Sequence, residues 1–224
     1  IRDASKSRGL GDVYKRQTQY LEAGVVSDEI LLSQQSKQRF SDIFIDYIPV
    51  GFTHILPKGL DHILFVIGMF FLSTKLSSLF WQITFFTLAH SVTLAMASLG
   101  VIKVSASIVE PLIAASIVYL AIENFYSNAL TIRRSIVILC FGLLHGLGFA
   151  SVLADFGLPI HHFIPALIGF NVGVELGQIL IILILFSAIS YWFKKKTWYR
   201  KLIALPFSFV IGLVGLFWFF ERII

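Results

Sequence analysis

The chain has 224 residues, 57% of them hydrophobic and 14% charged, with a mean hydropathy of +0.83 and a formal net charge of +5. A soluble domain carries about 25% charged residues and less apolar content, which excludes water as the main solvent here. Nor is the charge a nucleic-acid footprint, because residues 1–17 hold five Lys/Arg against two Asp and only +2 remains without them.

Those first 17 residues (IRDASKSRGLGDVYKRQ) are compositionally alien, resemble translated sequencing-adapter sequence and are expected to be a non-native leader. Residues 18–42, with Asp28, Glu29, Gln34, Gln35, Lys37, Gln38 and Arg39, look like the solvated end of an extracytoplasmic segment, and residues 43–224 like one transmembrane domain. A spanning helix needs about 20 mostly apolar residues to cross about 30 Å of hydrocarbon. Six stretches qualify: Gly59 to Ser73 with the short apolar segment Ile43 to Leu56 before it, Ser78 to Ser98, Ala106 to Tyr126, Ser135 to Ala154, Phe163 to Phe193 and Leu202 to Phe220. The expected fold is all-α, a polytopic integral membrane protein of about six transmembrane helices with a broken first helix. With the amino terminus outside, the inner loops collect Lys75, Arg133, Arg134, Lys194, Lys195, Lys196, Arg200 and Lys201, and the outer side only Lys103 and Arg222. Cytoplasmic loops carry the Lys/Arg excess, so both termini are expected outside, in a bacterial inner membrane. An outside amino terminus ahead of a span ordinarily follows a signal peptide; none is visible, so an earlier start is expected. The single Cys140 cannot form an intrachain disulfide.

Ionisable groups inside spans are costly and point to function. In GFTHILPKGLDH (Gly51 to His62), Pro57 lacks an amide hydrogen and Gly59 is permissive, so helix continuity should fail between Leu56 and Leu60, beside His54, Asp61 and His62. A break of this kind suits a cation, and equally a kink whose polar groups reach the headgroups. In the second span Thr84, Thr87 and Ser91 recur at i, i+3 and i+7 with His90 on their border, a face that lines either a polar path or interhelical hydrogen bonds. In the third span, Glu110 near the outer end and Glu123 near the inner end line a path or snorkel to the surface. In the fourth, FGLLHGLGFA (Phe141 to Ala150) sets His145 between Gly142 and Gly146, a GxxxG pair that admits a close neighbour. This segment matches FTLAHSVTLA (Phe86 to Ala95) at four of ten positions, the histidine included. His161 and His162 in the following outer loop are a candidate metal-gathering mouth. In the fifth span Gly169, Gly173 and Gly177 fall on one side and Asn171, Glu175 and Gln178 on roughly the other, so one face packs and the other lines something polar. Glu175, near the bilayer centre, needs a proton or a cation there.

Taken in order and one per helix, GFTHILPKGLDHILFVIGMFFLS, FTLAHSVTLA, VEPLIAASIVYLAIEN, FGLLHGLGFASVL and GFNVGVELGQ resemble the HupE/UreJ family over about residues 48–180. The resemblance implies a permease of six or so helices for Ni(II) or a similar divalent ion, often found beside nickel enzymes such as hydrogenase or urease. Carried onto this chain, it points to His54, Asp61 and His62 in the first motif and His145 in the second. The HILPKGLDH form differs from the better-studied branch, with six residues instead of five between His54 and Asp61, and with fewer ligand-type residues around His145.

The expected function is facilitated uptake of a divalent transition metal ion, Ni or Co favoured and Zn or Cu next, through His54, Asp61, His62, His90, His145 and Glu175. Glu110, Glu123, Asn171 and Gln178 are expected to line the path or to orient the ligands. No catalytic residue and no tightly bound cofactor are expected. The expected partners are the lipid bilayer and the transported ion, not nucleic acid, with homo-oligomerisation open. Two other classes fit the same residues: an intramembrane zinc-dependent hydrolase, and a non-transporting membrane assembly partner for an extracytoplasmic protein.

Overall fold

The structure, a computed structural model, describes the backbone of residues 39–73, 75–127, 132–155 and 162–224, and their side chains except at 132–133 and 149–155. The leader, the preceding segment through residue 38, the Arg133 side chain and His161 lie outside the described residues. Every regular element among the described residues is helical: α1 Phe40–Ile55, α2 Leu60–Leu72, α3 Leu76–Ser98, α4 Ala106–Tyr126, α5 Ile132–Asp155 and α6 Phe163–Leu185. A π-helical turn, Phe186–Ser190, carries α6 into the short α7, Tyr191–Phe193, and a second, Arg200–Ala204, leads into α8, Leu205–Glu221.

Among the described residues, four helices are long and apolar enough to cross a membrane: Leu76–Ser98, Ala106–Tyr126, Phe163–Phe193 and Arg200–Glu221. α1 and α2 together make a fifth crossing, bent by 73° at the break. α5 runs 24 residues, and its described apolar part covers Arg134–Gly148. The chain is an all-α polytopic membrane protein, broken where Pro57 and Gly59 predict. The break is tight. The Gly59 amide donates to the Ile55 carbonyl at 3.1 Å and the Leu56 amide to that of Phe52 at 2.9 Å, so much of the interrupted backbone is satisfied by the protein itself. A Cβ at residue 59 would strike the carbonyl oxygen of His54, so only glycine lets the start of α2 fold back over the end of α1.

Three glycine seams order the bundle. Along α6, a Cβ at Gly169, Gly173 or Gly177 would meet Phe44, Ile48 and Ile55 of α1 in turn, an advancing register that makes the two helices parallel. Along α5, Gly142 abuts Phe86 and Ala89 of α3, and Gly146 abuts His90, Thr93 and Leu94, again parallel. Along α8, Gly212 meets Ala121 and Gly215 meets Ile117 and Val118 of α4, the reversed order of an antiparallel pair. Between helices in lipid the drive to associate comes from close van der Waals contact, which small residues permit. α2 runs among these pairs and buries Phe65, Val66, Met69 and Phe70 completely. Outward faces such as Trp81, Leu88 and Val92 of α3 and Val210, Leu213 and Phe217 of α8 are exposed and apolar, as a lipid-facing surface must be.

Candidate metal centre

The break brings α1 and α2 together as imidazole donors. His54 ends α1 and His62 begins α2, and their ring centroids are 4.9 Å apart. His90 of α3 approaches both, at 6.2 and 5.9 Å, and one ligand nitrogen from each of the three rings lies within 4.8 Å of the others. His145 of α5 joins through His62, with centroids 4.8 Å apart. The seam of Gly142 and Gly146 makes this possible by bringing α5 hard against α3.

The backbone fixes the orientation of one ring. Nδ1 of His145 lies 2.8 Å from the carbonyl oxygen of Phe141, which can only accept. Nδ1 therefore carries the proton, and Nε2 of the neutral ring presents its lone pair. That Nε2, Nε2 of His62 and both ring nitrogens of His90 are buried with no hydrogen-bond partner from the protein. A buried polar atom left so costs about 1–3 kcal/mol, which calls for a partner: water, an ion or, for His90, the nearby Asn171 amide. Imidazole nitrogens bound tetrahedrally at about 2.1 Å from an ion stand about 3.4 Å apart. The spread of up to 4.8 Å is wider, so the rings must draw inward to close on an ion.

Phenylalanines wall the cluster. Phe65, Phe86 and Phe141 each sit about one turn from His62, His90 and His145, all toward the end where α2 stops and α3 and α5 start, and their rings meet at 5.1 Å (Phe65 and Phe86) and 5.9 Å (Phe65 and Phe141). Phe170 of α6 covers His54 and His90 from the side, at 5.5 and 6.4 Å. Polar groups continue from the cluster along the α3/α6 seam. Asn171 approaches His90 without a well-formed hydrogen bond, its Oδ1 buried and unpaired. One turn on, Oε1 of Glu175 accepts from Thr84 at 2.6 Å, and beyond it Oε1 of Gln178 accepts from Thr87 at 3.1 Å. The two faces of α6 thus divide as their spacing predicts, glycines to α1 and polar groups to α3.

The other carboxylates take different partners. Asp61 accepts two hydrogen bonds from Arg222 at the end of α8, at 3.0 and 3.1 Å. Glu110 is exposed, its backbone carbonyl taken by the same arginine at 3.2 Å. Glu123 pairs with Arg134 at 2.9 Å inside the bundle. Arg134, assigned from sequence to an inner loop, is 1% exposed and also donates to Gln82 and Asn124. Asn124 in turn donates to Gly68 and Ser208, so this network ties five helices together. Sequence spacing gave no sign of Arg134 or Arg222 as partners, since each lies on a different helix from the carboxylate it holds.

No curated protein and no solved structure matches the chain closely enough to add to this picture. One family model does match, that of the HupE / UreJ protein, over residues 30–222. It takes in the break, the four clustered histidines and the α3/α6 seam, and the chain belongs to the HupE/UreJ family of membrane proteins, which ties it to metal transport.

Proposed function

We propose that this chain is a facilitative permease that carries a divalent transition metal ion, Ni or Co by preference, through the histidine cluster. The observation that carries the proposal is the convergence of four imidazoles from four helices within the bundle. Imidazole suits Ni, Cu and Zn alike, and geometry has to choose among them; family membership favours Ni or Co. The cluster itself offers no carboxylate to offset the charge of a divalent ion, which favours transit over retention, since conduction needs binding weak enough to release. The ion enters past Glu110 and the break, is held among His54, His62, His90 and His145, and moves along Asn171, Glu175 and Gln178 toward the end where α6 meets α7. Glu175 is the first carboxylate on that route. An inside-negative potential of about 100 mV supplies about 2.3 kcal/mol per charge, roughly 4.6 for a divalent ion, which suffices without nucleotide hydrolysis.

The test is uptake of Ni, Co, Zn and Cu into proteoliposomes under an inside-negative potential, for wild type, His90→Ala and Glu175→Ala. Saturable uptake of one ion, lost in both variants, is the expected result. If no ion moves, yet the purified protein keeps about one tightly bound metal that both variants lose, the intramembrane hydrolase takes the permease's place.

A further inference from the structure

Arg222 ends α8 and reaches back to the first turn of α2. Its Nη2 donates to both carboxylate oxygens of Asp61 at 3.0 and 3.1 Å, and Nη1 donates to the Glu110 carbonyl at 3.2 Å. The guanidinium also lies over the Trp218 ring, 5.4 Å from its centroid. Both charges are well seated, because a carboxylate at a helix amino end and a cation at a helix carboxyl end each meet the favourable pole of the helix dipole. The side chains of the pair keep 21% and 27% of their surface, so it is held yet within reach of water.

Asp61 immediately precedes His62 of the cluster, and the Arg222 charge is within electrostatic reach of His145. A divalent ion among the imidazoles repels that guanidinium and attracts that carboxylate. A ligand shifts an equilibrium by as much as its affinity differs between the two states, so an ion that draws Asp61 away from Arg222 has to outweigh that pair.

We propose that Arg222 is a tethered competitor of the transported cation: it holds Asp61 until the ion arrives, and the work of displacing it sets how tightly the cluster binds. This rests on the permease reading of the same cluster. Arg222 is thus an affinity-setting residue that keeps binding weak enough for release.

The experiment is equilibrium binding of Co(II), followed by its visible absorption, to the full chain in nanodiscs. Arg222→Gln should bind Co(II) about tenfold more tightly than wild type, a change of about 1.4 kcal/mol. Arg222→Lys keeps the charge and should stay near wild type, and the double variant Asp61→Asn/Arg222→Gln should lose the gain. Trp218→Leu loosens the arginine without removing it and should tighten binding by a smaller factor; it decides the matter if Arg222→Gln does not fold. A merely structural arginine predicts lower thermal stability with no gain in affinity, and that result overturns the proposal. So does equal tightening in the double variant. Wild type that carries metal in vesicles while neither Arg222→Gln nor Trp218→Leu tightens binding sinks the competitor alone; wild type that neither binds nor carries any ion sinks the permease reading with it.

Discussion

Arg134 is a guanidinium held where hydrocarbon-facing helices meet, 1% exposed, with Glu123 at 2.9 Å and Gln82 at 3.3 Å. Bringing two charges out of water costs several kcal/mol each, and their attraction returns that cost only while both are present. The consequence is an asymmetry between single and double replacements. Arg134→Met strands the Glu123 carboxylate and should cost about 3 kcal/mol, whereas Glu123→Leu/Arg134→Met removes both charges and should recover most of it. Thermal unfolding in detergent reads this as a large fall in midpoint for the single variant and a small one for the pair. A double variant that unfolds as early as Arg134→Met would place the loss in packing around the arginine stem instead. The same contrast explains what was legible at this scale. Each histidine of the cluster announced itself as an ionisable group in a largely apolar span. The partners of Asp61 and Glu123 did not, because an ion pair between helices leaves no periodic trace in the sequence of either one.

The helix is the level at which sequence and structure agree most closely, and α6 is the clearest case. Gly169, Gly173 and Gly177 recur every four residues and all meet α1, while Asn171, Glu175 and Gln178 line the face toward α3. Spacing alone separates the two faces, and it cannot say which neighbour each one meets. The break was legible for a similar local reason, since Pro57 and Gly59 act on their own backbone. The position of His54 depends on the α6 seam. A Cβ at Gly173 would run into the backbone of Ile48, Gly51 and Phe52, none of which can yield as a flexible side-chain end does, and the last two lie within one turn of His54. Overpacking of this kind costs about 1–3 kcal/mol and is relieved by moving backbone. Gly173→Ala should therefore reduce metal uptake severalfold and lower the unfolding temperature. Gly212→Ala, whose added methyl would meet the Ala121 side chain at 3.1 Å, should leave uptake near wild type. Equal effects from the two, measured in the same vesicles with protein content matched, would count against α1 being positioned through this seam.

The three seams also constrain the path of the whole chain through the membrane. Helices two crossings apart run the same way, and those an odd number apart run oppositely. α3 and α5 are parallel, α1 and α6 are parallel, and α4 and α8 are antiparallel. All three relations hold when the broken α1–α2 pair counts as one crossing and α5 as another, giving six; without a crossing at α5, α6 would run against α1. The bundle therefore has its loops on alternating sides, and the Lys/Arg distribution gives the expectation of which side is which that labelling can test. Two of the inner basic residues turn out to serve internal bonds: Arg134 to Glu123, and Arg200 to the carbonyls of Asn124, Phe125 and Ser127. The exposed run Lys194 to Lys196 still stands against Lys103 across the membrane. In a Cys140→Ser background, Lys103→Cys should react with a membrane-impermeant thiol reagent in intact cells, and Lys195→Cys only after permeabilisation. The reverse pattern would invert the protein and turn the proposed route around, so that ions pass from Glu175 toward the histidines. Labelling of both from one side would break the six-crossing path, and with it the parallel pairing that brings His90 and His145 to the same centre.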